Sequence, residues 1–278
     1  IENHSIDYGN YSLVFNHNED YNALNVKLGD EKPDEECSLT IPSKIVIDGT
    51  SFSVNAIAAN GFADESCSNF TKVLSNSESA PTLGEDALSG IVKINTTLYV
   101  RGKLDESNNI IIDESYDIWN NYFNNTKNAS LKEDNSDYSI VYSITDLDKK
   151  ECAINKFICG ESNPLNLKDK VSILGEDYTI KAIEDGAEGK FSEINFPYNS
   201  SISYIGDNAF SGSGLTELFL PESIKEIGIH AFNFSDETDK TKLIIYGENT
   251  TISDNIFFNS PSGIYVSSQY YDKYIENP

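Results

Sequence analysis

The 278 residues carry 45 Asp and Glu against 20 Lys and Arg, a formal charge of −25 that repels phosphate backbones and anionic bilayers and so argues against nucleic-acid or membrane-surface binding. A hydrophobic fraction of 38%, with 16 Tyr and 14 Phe, supplies enough apolar surface for a folded core and excludes a chain disordered throughout. No run approaches the roughly 18 apolar residues of a spanning helix, and the absence of Met points to a processed or trimmed chain.

In chain order, Tyr11 to Phe15 alternates apolar and polar residues and is followed by a second apolar run, the pattern of a β-hairpin that packs on the element after it. Degenerate repeat-like segments follow, from Ile41-Pro42 through Ile57-Ala-Ala-Asn-Gly-Phe62, Cys67-Ser-Asn-Phe70 and Ala80 to Leu88, ending at Leu98-Tyr-Val100. Tyr116, Trp119 and Tyr122-Phe123 then recur at three- and four-residue spacing, which predicts a short helix docked as a terminal cap with the Trp in its core. Asn124 to Asp137 offers a single Leu and no periodicity, so the boundary between lobes is placed there.

The second half restarts the first. At an offset of 126 to 127 residues, Tyr138 to Tyr142 falls on Tyr11 to Phe15, Lys170 to Gly175 on Lys44 to Gly49, and Tyr178-Thr-Ile180 with Ile183 on Phe52-Ser-Val54 with Ile57. Tyr138 to Ile144 thus opens a second hairpin. The expected domains are residues 1–127, a degenerate repeat lobe with hairpin and cap helix, and 128–278, a lobe with hairpin and clearer repeats.

Within that second lobe Ile202, Ile205 and Phe210 are followed 22 residues later by Ile224, Ile227 and Phe232, with Leu215-x-x-Leu218-x-Leu220-Pro221 between them. Ile252 to Phe257 echoes the motif once more after an insertion around Ser235 to Lys242. Such a period builds stacked coils: one coil cannot bury its own apolar stripe, whereas neighbours share a column in which each buried Leu, Ile or Phe contributes about 1.5–3 kcal/mol. Pro197 and Pro221 fit strand exits, and Gly206 and Gly228 suit tight bends.

Ile205-Gly-Asp-Asn-Ala-Phe-Ser-Gly-Ser-Gly-Leu-Thr-Glu-Leu-Phe-Leu-Pro221 and Ser223-Ile-Lys-Glu-Ile-Gly-Ile-His-Ala-Phe232 resemble the BspA-like, treponemal-type leucine-rich repeats of bacterial secreted and surface proteins. The first half is similar but departs where Ser75 stands at an expected Leu and Gly61 at an expected Ala. The resemblance implies a β-rich leucine-rich-repeat solenoid with short helical or irregular return segments, extracytoplasmic placement, and adhesion or host-protein binding. It also makes Cys67, at a position where the family often has Cys, a buried small hydrophobe.

The four cysteines, Cys37, Cys67, Cys152 and Cys159, lack zinc-site spacing, and Cys152 and Cys159 in one strand would point to opposite faces and pair only if the chain turns between them. His4, His17 and His230 are scattered, no nucleophile elbow, phosphate loop or metalloprotease helix is present, and Asp134 to Asp137, Asp146-Leu-Asp148 and Asp236 to Asp239 lack an EF-hand pattern. No catalytic residue, metal site or cofactor is therefore expected. Strand alternation instead turns Glu193 and Asn195, beside inward Ile194 and Phe196, and Glu217 and Phe219, beside inward Leu218 and Leu220, outward as a ligand surface. The expected partner is an extracellular or host protein; a glycan-binding accessory module and a structural spacer are the alternatives.

Overall fold

The computed structural model describes residues 3–17, 23–159, 163–215, 217–232, 242–247, 250–253, 256 and 263–266. The fold is a β-solenoid, and its contacts divide it into two compact units, Ile1–Ser130 with Ile144–Lys149, and Leu131–Ser143 with Lys150–Pro278.

In the first unit, strands His4–Asp7, Ser12–His17 and Ala23–Leu28 pair antiparallel in sequence. Ala23–Leu28 then pairs parallel with Thr50–Ile57, which carries the antiparallel Lys44–Ile47 on its flank. A second, wholly parallel sheet runs Asn125–Asn128, Thr97–Val100, Phe70–Ser75, Cys37–Ile41. Leu39, Val73 and Leu98 are cross-strand partners in it, and all three are fully buried.

The second unit has the same kinds of element. Ser130–Asp134, Tyr138–Asp146 and Glu151–Cys159 are hydrogen-bonded in that order. Glu151–Cys159 pairs parallel with Glu176–Ile183, flanked by the antiparallel Lys170–Ile173. From there short parallel strands step outward at Tyr204–Ile205, Glu226–Ile227 and Thr251–Ile252. The other side of the coils is Glu217–Leu220, Lys242–Ile245 and Gly263–Val266, also parallel, and Asn163–Asn166 pairs parallel with Phe191–Asn195.

The repeating aliphatics line the interior as their spacing requires. Ile202, Ile205, Ile224 and Ile227 are each 0% exposed, and the Phe210 and Phe232 rings stack at 5.9 Å and 4°. Phe157 continues the stack against Phe210 at 5.7 Å. The return segments of this unit are these two-residue strands and turns. The 3-10 helices among the described residues, Glu65–Asn69, Lys93–Asn95 and Glu114–Asn121, all belong to the first unit.

Both units use one turn between coils. The Phe210 amide donates to Ala231 O and the Phe62 amide to Ala87 O, each at 2.8 Å. Asn208 and His230 in one unit, and Asn60 and Asp86 in the other, take left-handed φ of 52–55°. His230 thus occupies a turn position. The glycines of the motif open this turn, Gly206 O accepting from the Ala209 amide and Gly228 O from the Ala231 amide, but the left-handed residue lies two positions on. A Cβ on Gly206 would lie 2.4 Å from the Asp185 amide nitrogen, and one on Gly228 2.5 Å from that of Asp207. Glycine is required because successive coils touch there. The same contact is hydrogen-bonded: Asp185 Oδ1 accepts from the Asp207 amide at 2.9 Å, and Asp207 Oδ1 from the Ile229 amide at 2.6 Å.

Both departures in the first half have a physical cause. Ser75 is fully buried, and its Oγ lies 2.7 Å from the hydroxyl of Tyr116, which itself donates to Ser77 O at 2.8 Å. A Leu there would displace the Tyr116 ring. At Gly61 a Cβ would meet Ala58 O at 2.9 Å and Ile57 Cγ2 at 3.0 Å.

Two further expectations change, and one left open is decided. The aromatic segment is helical with Tyr116 and Trp119 buried, but it is a 3-10 helix and does not terminate the sheet, because Asn125–Asn128 adds beyond it. The polar stretch from Asn124 to Asp137 is not a loose linker: it forms that strand and Ser130–Asp134, with Ala129 fully buried between them. Glu151–Cys159 is one unbroken strand, so the chain makes no turn between Cys152 and Cys159, and all four cysteines are free. The insertion at 235–241, the acidic run at Asp236 to Asp239 and Phe257 lie outside the described residues.

Candidate functional site

Register fixes what each strand of the second unit shows to solvent. Leu218 pairs with Leu243 and Leu220 with Ile245, and these four turn inward, each 1% exposed or less. The alternate positions turn outward. Phe219 pairs with Ile244, and Ile244 with Tyr265, so one row across three strands is apolar. Phe219 is 46% and Tyr265 51% exposed.

The row beside it is charged. Glu217, exposed, is the cross-strand partner of Lys242, also exposed. On Phe191–Asn195, Ile194 is buried while Glu193 and Asn195 are exposed, and Asn195 Nδ2 donates to Asn166 Oδ1 at 3.2 Å on the next strand. All four residues expected outward from the sequence, Glu193, Asn195, Glu217 and Phe219, are therefore outward. Phe196 differs: the strand ends at Asn195, so Phe196 is half-buried beyond it rather than sealed in the core.

Sequence alternation did not find two neighbours of this face. Tyr198 is wholly exposed and Tyr246 45% exposed, and both sit just past strand exits, where period-two reasoning stops. The signal that could have found them is an aromatic after the strand in the two coils that flank the Glu217–Leu220 coil, next to Pro197 in one case and Ile245 in the other. With Phe219 they border an open groove of about 730 Å³. The face joins apolar rings to carboxylates, amides and one ammonium, an arrangement suited to binding by burial and hydrogen bonding. Among the described residues no group of three or more His, Cys, Asp or Glu side chains could hold a metal ion.

Stacked parallel strands with inward aliphatics at a 22-residue period define a leucine-rich-repeat β-solenoid. Residues 178–273 match the family described as the BspA type leucine rich repeat region, in six copies. A comparison with curated proteins returns no match.

Three solved structures are similar. The pneumococcal vaccine antigen PcpA is 16% identical over 50% of this chain and 51% of its own, with a TM-score of 0.30. A leucine rich cell surface protein from Faecalibacterium prausnitzii is 14% identical over 88% of this chain and 55% of its own, TM-score 0.25. A leucine-rich repeat protein from Bacteroides ovatus is 16% identical over 92% of this chain and 70% of its own, TM-score 0.32. The chain spans about half the length of the first two.

Proposed function

We propose that this protein is a non-enzymatic recognition protein of the cell surface or extracellular space, which binds an extracellular or host protein through the sheet face carrying Glu193, Asn195, Glu217 and Phe219. The observation that carries this reading is the register Phe219–Ile244–Tyr265 beside Glu217–Lys242. It puts an exposed apolar strip against charged and amide groups on a frame of backbone hydrogen bonds. Such a mixed strip suits a protein, with its alternating apolar and polar side chains, better than a saccharide. The match of residues 178–273 to BspA-type repeats favours surface placement, and no helix among the described residues is long and apolar enough to cross a membrane.

We also propose that residues 1–127 and 128–278 are copies of one lobe. Matching bulges support this: the parallel pairing slips between Leu24 and Asn25 in one unit and between Cys152 and Ala153 in the other.

The experiment is a binding screen of the purified chain on arrays of extracellular-matrix proteins and of glycans. Saturable capture by protein spots is the expected result. Saturable capture by glycan spots alone would replace the reading with that of a glycan-binding module.

A further inference from the structure

The groove bordering this face has the chemistry of a site for a particular kind of chain segment. Its lining includes four aromatic rings and two prolines: Phe196, Tyr198, Phe219 and Tyr246, with Pro197 and Pro221. The proline turns are pinned, since the Ser200 amide donates to Pro197 O at 3.0 Å and the Ile224 amide to Pro221 O at 3.2 Å. The walls are thus built into the coils. Ser223 Oγ, which borders the groove, is buried and has no hydrogen-bond partner among the described residues. Of the charged side chains among the described residues, only Glu222 lines the groove. Glu193 and Glu217 add carboxylates on the adjoining strands, and Lys242 is the cross-strand partner of Glu217.

Three properties of an occupant follow. It is cationic, because a carboxylate and the faces of aromatic rings both attract ammonium or guanidinium groups, and the whole chain carries −25. It is extended, because the groove opens beside the flat apolar row that starts at Phe219. It offers ring faces of its own, because Phe196, Tyr198, Phe219 and Tyr246 line the groove with surfaces that rings stack on. A polyproline-II segment meets this last condition: its ring faces pack on aromatics, it makes no internal hydrogen bonds, and its carbonyls accept from hydroxyls such as those of Tyr198 and Tyr246. A volume of about 730 Å³ lies within the range of sites that enclose a small ligand.

We propose that the groove between Tyr198, Phe219 and Tyr246 binds an extended, proline-containing segment of a partner protein, with an Arg or Lys of that segment held at Glu222. This rests on the reading of the adjoining face as the recognition surface, and it specifies which part of the partner docks.

The test uses the full chain and a positional library of fluorescein-labelled eight-residue peptides, read by fluorescence polarisation. Selection for proline at two positions and for Arg or Lys at one is expected. For a selected peptide, Glu222→Gln lowers affinity about tenfold, and replacing the Arg by citrulline removes the difference between Glu222→Gln and the parent. Tyr246→Ala weakens both forms, and because that ring is exposed the melting temperature stays at the parent value. Selection of acidic or proline-free peptides, binding unchanged by Tyr246→Ala, or saturation by neutral xylo- or cello-oligosaccharides without any peptide binding would each overturn the proposal. If the library fails while Phe219→Ala with Glu217→Ala still removes protein capture, the occupant is wrong and the face stands. If that double substitution also leaves capture intact, the face itself is wrong.

Discussion

Tyr116→Phe removes one oxygen from the core of the first unit. The Tyr116 hydroxyl has a single proton, given to Ser77 O, so Ser75 Oγ at 2.7 Å is the donor to it. Ser75 is 0% exposed, and loss of its acceptor leaves a buried hydroxyl unsatisfied at a cost of about 1–3 kcal/mol. Ser77 is half-buried, so its carbonyl partly rehydrates and adds little. Ser75→Ala costs about 1 kcal/mol, since Tyr116 keeps its bond to Ser77. With both residues changed no buried hydroxyl is left unpaired, and the double variant is about 1 kcal/mol more stable than the sum of the singles.

The assay is urea unfolding followed by the emission of Trp119, the chain's one tryptophan, whose ring lies 5.5 Å from that of Tyr116 and 6.1 Å from that of Phe123. The signal therefore reports the first unit. A loss below about 0.5 kcal/mol in Tyr116→Phe, or strict additivity of the two substitutions, would refute the assignment of Ser75 to this hydrogen bond.

Other consequences can be measured on the same protein. Gly228→Ala lowers stability by about 1–3 kcal/mol in thermal unfolding followed by circular dichroism, because its Cβ meets the backbone of Asp207 and Gly206 as well as the Asp207 carboxylate; an unchanged melting temperature would contradict the close approach of the coils. At pH 8 the native chain gives one fast-reacting thiol, Cys159, which is half-buried, while Cys67 and Cys152, pushed up by burial to about 12, and Cys37, to about 11, react only on unfolding. Asp113, held down to about 2 by the Lys103 ammonium and by Ser115, contributes stability above its unfolded value of about 4 that is lost as pH falls from there towards 2. Asp113→Asn therefore flattens the acid limb of the Trp119 melting curve, and a limb identical to the parent would rule this contribution out.

The repeat columns were legible because buried aliphatics must recur wherever a coil meets its neighbour: Ile202 and Ile224, or Phe210 and Phe232, are forced by packing. Outward Glu217 and Phe219 were legible for the related reason that a strand alternates. Features held by backbone contact were not legible. Asn125–Asn128 becomes a strand because Thr97–Val100 offers it a row of unpaired amides and carbonyls, which needs no apolar side chain in return. Gly206 and Gly228 read only as bend residues because sequence does not reveal how near the next coil runs. Tyr198 and Tyr246 escaped notice because they follow strand ends, where position no longer dictates direction.

The most direct test of the recognition surface is capture of an array-identified protein partner by Phe219→Ala with Glu217→Ala. Both side chains are exposed and support no interior contact of the column, so capture is expected to vanish while the melting temperature stays at that of the parent chain. Capture at parental strength would remove this face from the account.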